Sequence, residues 1–385
     1  MPFAQLACHV YLNTIKWSYT SPYGVCHGGI LMIYRLGELF CGPGGLAWGA
    51  MHADIGNSDW GIRHQWANDF DESTCKTYRY NICHNIEDSS VICQDVRKLD
   101  ISHNTLADID ALAFGFPCND FSTVGEQKGF DGTYGPLYTY GVKVLKEFHP
   151  QWFLAENVSG LSSANDGGAF PKILHDLHAC GYRLYPHLYE FEKYGIPQAR
   201  HRIIIIGIRN DIDAEYRPPS PAPYADADVS VRTALAGIPA DAKNNELPRM
   251  TARVKKRLSY IKPGQNAFNA DMPEELRLKV KGAKISQIYR RLDPDKPSYT
   301  VTGSGGGGTH IYHFSELRAL TNRERARLQT FPDDYEFLGS RENVRRQIGM
   351  AVPCRGAKII FEAVLKTMAG IDYESVPCNI RFKND

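Results

Sequence analysis

The sequence predicts an α/β protein with a doubly wound, mostly parallel sheet and a second, smaller domain. Short apolar runs alternate with helix-like stretches between about residues 33 and 208, as in sheets whose parallel strands are joined by crossover helices. From residue 210 the chain becomes proline-rich, which indicates a linker, and then irregular and locally basic. With 385 residues, 43% of them hydrophobic, the chain is long enough for a large domain and a smaller one.

Each predicted strand is an apolar run bounded by turn residues or charges. The predicted strands are Ile33–Phe40, Ile62–Ala67, Val91–Cys93, Ala111–Phe116, Trp152–Ala155, Tyr182–Phe191 and Arg202–Ile208. The predicted helices begin at Leu46 or cover Ser73–Tyr80, Gly135–Phe148, Pro171–Cys180, Thr321–Phe331 and Cys354–Met368. Thr321, followed three residues later by Glu324, has the pattern of a helix capping box.

Composition narrows the class of protein. The formal net charge is only +1, so a polyanionic partner would have to be held by a local basic patch. Ten cysteines without a CxxC pair argue against a zinc site or a disulfide framework, and a reducing cytoplasm is expected. No apolar run approaches the length of a membrane span, and a signal-peptide pattern is absent from the N-terminus.

A glycine-rich turn, Cys41-Gly42-Pro43-Gly44-Gly45, follows the first predicted strand and precedes a helix. This order is typical of nucleotide-cofactor sites, although ordinary turns also use glycine. Asp69 ends the second strand, where a ribose diol would bind, and Asp71 suits the N-cap of the next helix.

Cys118 follows the fourth predicted strand directly after Pro117, at the edge where α/β folds place their chemistry. Alone it would more often be a buried structural cysteine. Glu156 and Arg202 stand at or near the ends of two other predicted strands. A thiol, a carboxylate and a guanidinium in one pocket suit attack on an electron-poor ring. Individually, Glu156 could be a helix N-terminal charge and Arg202 an ion-pair partner of low energetic value.

At this point the chain resembles the cytosine-C5 DNA methyltransferases, enzymes that use S-adenosylmethionine and include the modification enzymes of bacterial restriction–modification systems. The matching motifs occur in the family's order and lie within about residues 33–369. They are Glu38-Leu39-Phe40-Cys41-Gly42-Pro43-Gly44-Gly45, Pro117-Cys118, Glu156-Asn157-Val158, Gln198-Ala199-Arg200-His201-Arg202 and Ala326-Arg327-Leu328-Gln329-Thr330-Phe331-Pro332-Asp333.

The resemblance implies a catalytic role for four residues. Cys118 would add to C6 of a cytosine flipped out of the duplex, and Glu156 would hold N3 and the exocyclic amine and supply a proton. Arg202 would bind O2 of the ring, and Arg200 would support the loop and the site. The loop over residues 119–133 would close over the base.

The resemblance also implies the ligand contacts, and no metal is expected. The implied S-adenosylmethionine contacts are Phe40, Gly42, Gly44, Gly45, Asp69, Phe70, Asp95, Val96 and Pro117. The implied contacts to double-stranded DNA are Ser122, Arg253, Lys255, Lys256, Arg290, Arg291, Gly305 and Gly306. For the basic residues the alternative is an ordinary solvated face. A cognate restriction endonuclease would be a functional partner, without physical contact.

Four segments are expected on this basis. Residues 1–31 would be an N-terminal extension, with Met32 as an alternative natural start. Residues 32–209 would bind the cofactor and catalyse, residues 210–310 would recognise the target, and residues 311–385 would pack back on the catalytic domain.

Three residues depart from the family pattern. Glu38 replaces the usual Asp, Asn119 replaces the commoner Gln, and Met350 replaces an Asn near the cofactor. Two other functions remain open at this point. A tRNA cytosine-C5 methyltransferase would share the catalytic motifs but usually carries a Cys-Phe-Thr tripeptide, which this sequence lacks. A catalytically silent DNA-binding homologue would keep the fold without the chemistry.

Overall fold

The computed structural model describes residues 31–116, 137–158, 160, 168–278, 286–303 and 307–384. Within them the strands are β1 (Met32–Leu39), β2 (Trp60–Asp69), β3 (Val91–Cys93), β4 (Ala111–Gly115), β5 (Trp152–Val158), β6 (Tyr182–Glu190), β7 (Gln198–Ala199), β8 (His201–Arg209) and β9 (Ser298–Tyr299). The α-helices are α1 (Gly45–Met51), α2 (Glu72–Tyr78), α3 (Tyr138–Phe148), α4 (Ala169–His178), α5 (Val231–Leu235), α6 (Ala252–Ser259), α7 (Asn322–Leu328), α8 (Arg341–Met350) and α9 (Cys354–Met368).

Seven strands form one twisted sheet in the order β3-β2-β1-β4-β5-β8-β6. Strands β1 to β5 are parallel, while β8 runs antiparallel to both of its neighbours. The predicted doubly wound, mostly parallel sheet is therefore confirmed, and its order is that of the class I methyltransferase fold. The central strands are buried on both faces, as their apolar sequences require; β8 contains four consecutive buried isoleucines, Ile203 to Ile206.

The chain reverses its direction of travel across the sheet between β1 and β4, which lie side by side. In open α/β sheets the crevice at the carboxyl ends of such neighbouring strands is the usual ligand site. The glycine-rich turn follows β1, and Cys118 follows β4 by three residues in the sequence. The topology thus leads both motifs toward one edge of the sheet.

The end of the chain packs back on the sheet. Helix α9 lies against α1 so closely that a Cβ on Gly49 would stand 2.5 Å from the Cβ of Ala357. Ile360, Phe361 and Val364 of α9 share a core with the strands. A separate small core lies within residues 258–319 and includes Leu258, Ile261, Met272, Leu276, Tyr289 and Tyr312.

Two local expectations were wrong. Strand β5 continues through Glu156, Asn157 and Val158, because its pairing with β8 extends as far as Arg202. The proline-rich stretch after residue 210 is not a free linker, since Tyr216 is buried and its hydroxyl lies 2.9 Å from that of Tyr189. Among the described residues, no helix has both the length and the apolar character needed to cross a membrane.

Candidate active site

A cavity of about 520 Å³ opens at the carboxyl ends of β1, β2, β4 and β5. Its lining includes both groups of residues singled out from the sequence. The nucleotide-type group comprises Phe40, Gly42, Gly45, Asp69, Phe70, Asp95 and Val96, and the catalytic group comprises Glu156, Arg200 and Arg202. The volume is in the range of small-molecule and cofactor sites, so the two groups form one continuous candidate site.

Glu156 and Arg202 form an ion pair inside this cavity. The Arg202 Nε lies 2.8 Å from Glu156 Oε1, and both side chains are largely buried. Antiparallel pairing places Val158 opposite Arg202, so Glu156 is its diagonal neighbour on the same face of the sheet. The pair therefore presents a carboxylate and a guanidinium side by side, a suitable arrangement for binding the polar edge of a ring.

Gly115, the last residue of β4, lies beside Glu156 in the parallel pairing. A Cβ at Gly115 would stand 3.1 Å from Glu156 Oε2, which is tighter than ordinary contact. The absence of a side chain here lets the carboxylate lie over the end of β4, where the chain continues toward Cys118.

Asn157 is buried, and its amide joins the same two strands. Its Nδ2 donates to the carbonyl of Phe116 at 3.2 Å, and its Oδ1 accepts from the backbone N–H of Val158. The side chain thus fixes the backbone immediately before Pro117. Sequence reasoning assigned Asn157 no role, although it stands within a matching motif.

Arg200 is fully buried and connects three segments of the chain. Its guanidinium donates to the carbonyls of Val301, Gly349 and Met350. Burial lowers the pKa of Arg200, and repulsion from Arg202 adds to this effect. These contacts hold the three segments together, and the role of Arg200 in the site stays a prediction. Gln198 acts similarly, accepting from Val301 N and donating to Leu328 O and Gln329 Oε1.

The turn after β1 has a strained backbone that glycine relieves. Gly42 and Gly44 have φ values of 57° and 93°, and even Phe40 adopts a φ of 55°. The hydroxyl of Tyr335 donates to the carbonyl of Pro43, and a Cβ on Gly44 would stand 2.8 Å from that hydroxyl oxygen. Gly45 packs against the backbone of Val352: a Cβ on Gly45 would stand 2.5 Å from the Val352 carbonyl oxygen.

Asp69 closes this turn onto β2. Its two carboxylate oxygens accept hydrogen bonds from the backbone N–H groups of Gly42 and Asp71, each at 3.0 Å. Burial raises the pKa of Asp69, while these N–H groups oppose the shift. Asp71 caps α2 through Thr74 N, as expected, and also pairs with Arg346 at 3.3 Å.

Phe70 and Val96 offer apolar surface to the cavity. Phe70 is 72% exposed, which is unusual for a phenylalanine, whereas Val96 is buried. Asp95 is held by Arg97 through several hydrogen bonds, and these lower the pKa of Asp95 to about 2. The carboxylate of Asp95, one of the implied S-adenosylmethionine contacts, is therefore ionised and already has a partner.

Two positions on α8 line the cavity beside Gly349. Met350, which departs from the family pattern, is 53% exposed and accepts a hydrogen bond from Arg200 only through its backbone. Arg346 is half-exposed and was not singled out from the sequence. The side chain at position 350 thus contributes a thioether, not an amide, to the cavity wall.

The expected DNA contacts have different environments. Arg253, Lys255 and Lys256 are exposed on α6, and Arg290 is partly buried, with its guanidinium over the ring of Tyr299. Arg291 does not fit the expectation: it is buried, and it donates to the carbonyls of Leu258, Ile261, His313 and Phe314. Its guanidinium is used to hold the small core together.

Several expected site residues lie outside the described residues. They are Pro117, Cys118, Ser122, Gly305 and Gly306, together with Asn119 and the whole loop over residues 119–133. Residues 1–30 of the expected extension also lie outside. Their predicted roles therefore stay predictions.

Comparison with known proteins agrees with this arrangement. The family model described as C-5 cytosine-specific DNA methylase matches residues 34–366. The chain is 59% identical over 354 residues to the Type II methyltransferase M.BbvI of Brevibacillus brevis, covering 90% of this chain and 94% of the relative. It is 39% identical to the Type II methyltransferase M.NgoFVII of Neisseria gonorrhoeae, with 88% of each covered.

Solved structures share the fold. A chain encoded within an E. coli prophage superposes with a TM-score of 0.65 at 22% identity, covering 88% of this chain and 99% of that one. The S. pombe Dnmt2 methyltransferase gives a TM-score of 0.54 at 19% identity, covering 86% and 98%. The fold, the motifs and the matched length together show that the protein belongs to the C-5 cytosine-specific DNA methylase family and is a DNA (cytosine-5-)-methyltransferase.

Proposed function

We propose that the protein transfers a methyl group from S-adenosylmethionine to C5 of a cytosine flipped out of a short, specific duplex DNA sequence. The observation that carries this proposal is the Glu156–Arg202 ion pair, which shares one cavity with the glycine-rich turn and Asp69. Duplex stacking hides C5 and C6 of cytosine, so the base has to leave the helix to reach such a pocket.

The donor set of the cavity suits S-adenosylmethionine, which methyltransferases of this family generally use. Asp69 offers a carboxylate for ribose hydroxyls, and Phe70 and Val96 offer apolar surfaces for an adenine ring. Phe40, Gly42, Gly44, Gly45, Asp95 and Pro117 would complete the contacts. When bound, the cofactor supplies an electrophilic methyl group.

The protein's own residues would prepare the base. The Cys118 thiolate forms a bond to C6 while Glu156 delivers a proton to N3, and the electron pair of the C5–C6 bond becomes available at C5. Arg202 holds O2, which keeps the ring in register with the thiolate. After methylation the C5 proton leaves to a base, the C6–sulfur bond breaks to restore the thiolate and the C5–C6 double bond, and N3 returns its proton to Glu156.

The relatives support a more specific biological role. Both of those above are called Type II methyltransferases, which supports a modification enzyme that protects the sites of a cognate restriction endonuclease. A tRNA substrate is not favoured, because the matching family model is a DNA methylase. A silent DNA-binding role is not favoured either, because Cys118, Glu156 and Arg202 are all present.

Bisulfite sequencing tests the proposal and also identifies the target. The protein is expressed in cells that lack cytosine methylation, beside a matched culture that expresses Cys118→Ala. We expect protected cytosines at one short recurring sequence with the wild type and none with the variant. Protection that persists in Cys118→Ala would refute the covalent mechanism, and the absence of protection with soluble wild-type protein would refute the DNA activity.

A further inference from the structure

Three arginines near Gly303 and Gly308 make no side-chain hydrogen bond and no ion pair within the described part of the chain. Arg290 precedes β9, Arg325 lies on α7 and Arg345 lies on α8. Arg325 is only 2% exposed, and the Nε atom of Arg345 is buried without a partner. Buried guanidinium groups normally have carbonyl or carboxylate partners, as Arg200 and Arg291 do here.

These side chains converge on common neighbours. The Arg290 guanidinium lies 4.9 Å from the centre of the Tyr299 ring, and the charges of Arg290 and Arg325 both act on Tyr299. Burial, together with repulsion from Arg325 and Arg345, lowers the pKa of His310 to about 4. Three positive charges from separate segments are therefore concentrated around two neutral side chains.

Acidic compensation for this cluster is weak. Burial lowers the pKa of Arg325 to about 10, and repulsion from Arg345 contributes. The carboxylate that acts on Arg325, Glu324, accepts hydrogen bonds from Arg318 through both of its oxygens, at 2.7 and 2.8 Å. The cluster thus keeps a net positive charge, and the Arg325 part of that charge is shielded from water.

The cluster adjoins the catalytic cavity. Strand β9 pairs with β7, and Val301, two residues after Tyr299, accepts a hydrogen bond from Arg200. The backbone at Gly303 lies directly against Gly349 of α8, where a Cβ on Gly349 would stand 1.9 Å from Gly303 N. Gly349 itself lines the cavity. An anion held at the cluster would therefore lie next to the mouth of the site.

We propose that Arg290, Arg325 and Arg345 form a phosphodiester-binding site that holds the DNA backbone beside the flipped cytosine. The inference rests on the proposed DNA substrate, whose backbone supplies an anion that arginine binds in a forked, charge-assisted geometry. The unpaired buried charge of Arg325 is then explained, because DNA completes its environment.

Replacing the guanidinium by an apolar group of similar length tests the site. Arg325→Met and Arg345→Met are compared with Arg63→Met, which alters an exposed arginine in the amino-terminal half of β2. The probe is a short fluorescent duplex carrying the methylated sequence, and a second duplex lacks it. Dissociation constants are measured by anisotropy over a series of KCl concentrations.

The logarithm of the association constant falls linearly with the logarithm of the salt concentration, and loss of one phosphate contact should make this fall shallower by about 0.9. Binding should weaken about 8-fold at 0.1 M salt. Both duplexes should be affected equally, since a phosphate contact carries no sequence information. Arg63→Met should behave as wild type. Arg325→Met should also keep or raise the melting temperature, because it removes an unpaired buried charge, whereas loss of a structural contact would lower it.

If DNA binding by Arg325→Met and Arg345→Met had the same salt dependence as wild type, the proposed phosphate site would be refuted. The proposed methyl transfer could still stand. If wild-type protein bound neither duplex and protected no cytosine, the proposed function itself would fail. The affinity for S-adenosylhomocysteine, measured by calorimetry, should be unchanged in every variant.

Discussion

The amide of Asn157 donates a hydrogen bond to the carbonyl of Phe116, and this bond extends the link between β5 and β4 past their backbone pairing, to the last residue before Pro117 and Cys118. The two predicted catalytic residues are therefore linked through Asn157, even though they stand 38 positions apart in the sequence.

Asn157→Ala should lower kcat roughly 10- to 100-fold, because it frees the chain before the nucleophile and small displacements of reacting groups are costly. Stability should fall by about 1–3 kcal/mol, the usual effect of an unsatisfied buried group. Asn68→Ala is the matched control: Asn68 is equally buried, and its amide donates to the carbonyls of Ile92 and Gln94. It should lose comparable stability but affect cofactor KM more than kcat. Equal kcat losses in both variants would contradict the positioning role.

Gly115→Ala should reduce methyl transfer about 10-fold by displacing the Glu156 carboxylate. The added methyl group would meet Glu156 Oε2 at 3.1 Å. Gly61→Ala is the matched control, because its new Cβ would stand at the same distance, 3.1 Å, from the flexible Ile33 Cδ1. This variant should retain full activity. Initial rates with saturating DNA and cofactor measure the effect. An active Gly115→Ala enzyme would show that the carboxylate does not depend on this close approach.

Gly44→Ala should weaken binding of S-adenosylhomocysteine. At a φ of 93° an L-residue costs about 1–2 kcal/mol, and here the new Cβ would also meet the Tyr335 hydroxyl at 2.8 Å. Gly56→Ala carries the same kind of backbone strain, at a φ of 74°, but meets nothing within 4 Å. Calorimetry should therefore show a larger loss of affinity for Gly44→Ala than for Gly56→Ala. The same affinity in both would exclude a role for the Tyr335 contact.

Glu38 should make stability depend on pH. Burial raises the pKa of Glu38 from 4.5 to about 8; the hydrogen bond that Tyr78 donates to Oε2 opposes this shift, and the charge of Asp69 adds to it. Because the folded-state pKa is the higher one, the neutral acid stabilises the fold fully below about 4.5, and this contribution is lost as pH rises through about 8. At about 1.4 kcal/mol per pKa unit, it should amount to up to about 5 kcal/mol.

Glu38→Gln isolates this contribution, since the amide stays neutral at every pH. Urea unfolding at several pH values should show that the wild type loses stability relative to the variant between about 4.5 and about 8. A constant difference across that window would mean that Glu38 does not change its ionisation on folding.

Much of the fold could be predicted because local signals agree with the tertiary structure. Strand β3 and helix α9 have the predicted bounds, and the capping box of Thr321 and Glu324 is formed as its spacing indicated. Continuous apolar runs and glycine-rich turns report on burial and backbone conformation, which are local properties. The order of the strands requires pairing information that such patterns lack.

Arg290 and Arg291 show where sequence reasoning reaches its limit. They are adjacent and chemically identical, yet Arg291 supports the small core while Arg290 stays without an acidic partner among the described residues. The difference depends on which carbonyl groups surround each side chain, and those come from distant segments. The cluster of Arg290, Arg325 and Arg345 was invisible in sequence for the same reason.

Residues near the end of the chain contact the site residues from its first part, which has a consequence for biosynthesis. Tyr335 contacts the Pro43 carbonyl, Gly349 contacts Arg200, and Val352 contacts Gly45. The rest of the cavity lining lacks one wall until α8 and the two residues after it, Ala351 and Val352, have been translated. A nascent or truncated polypeptide that ends before α8 would therefore have an incomplete cavity. Only chains that have emerged almost completely from the ribosome would become competent to mark DNA.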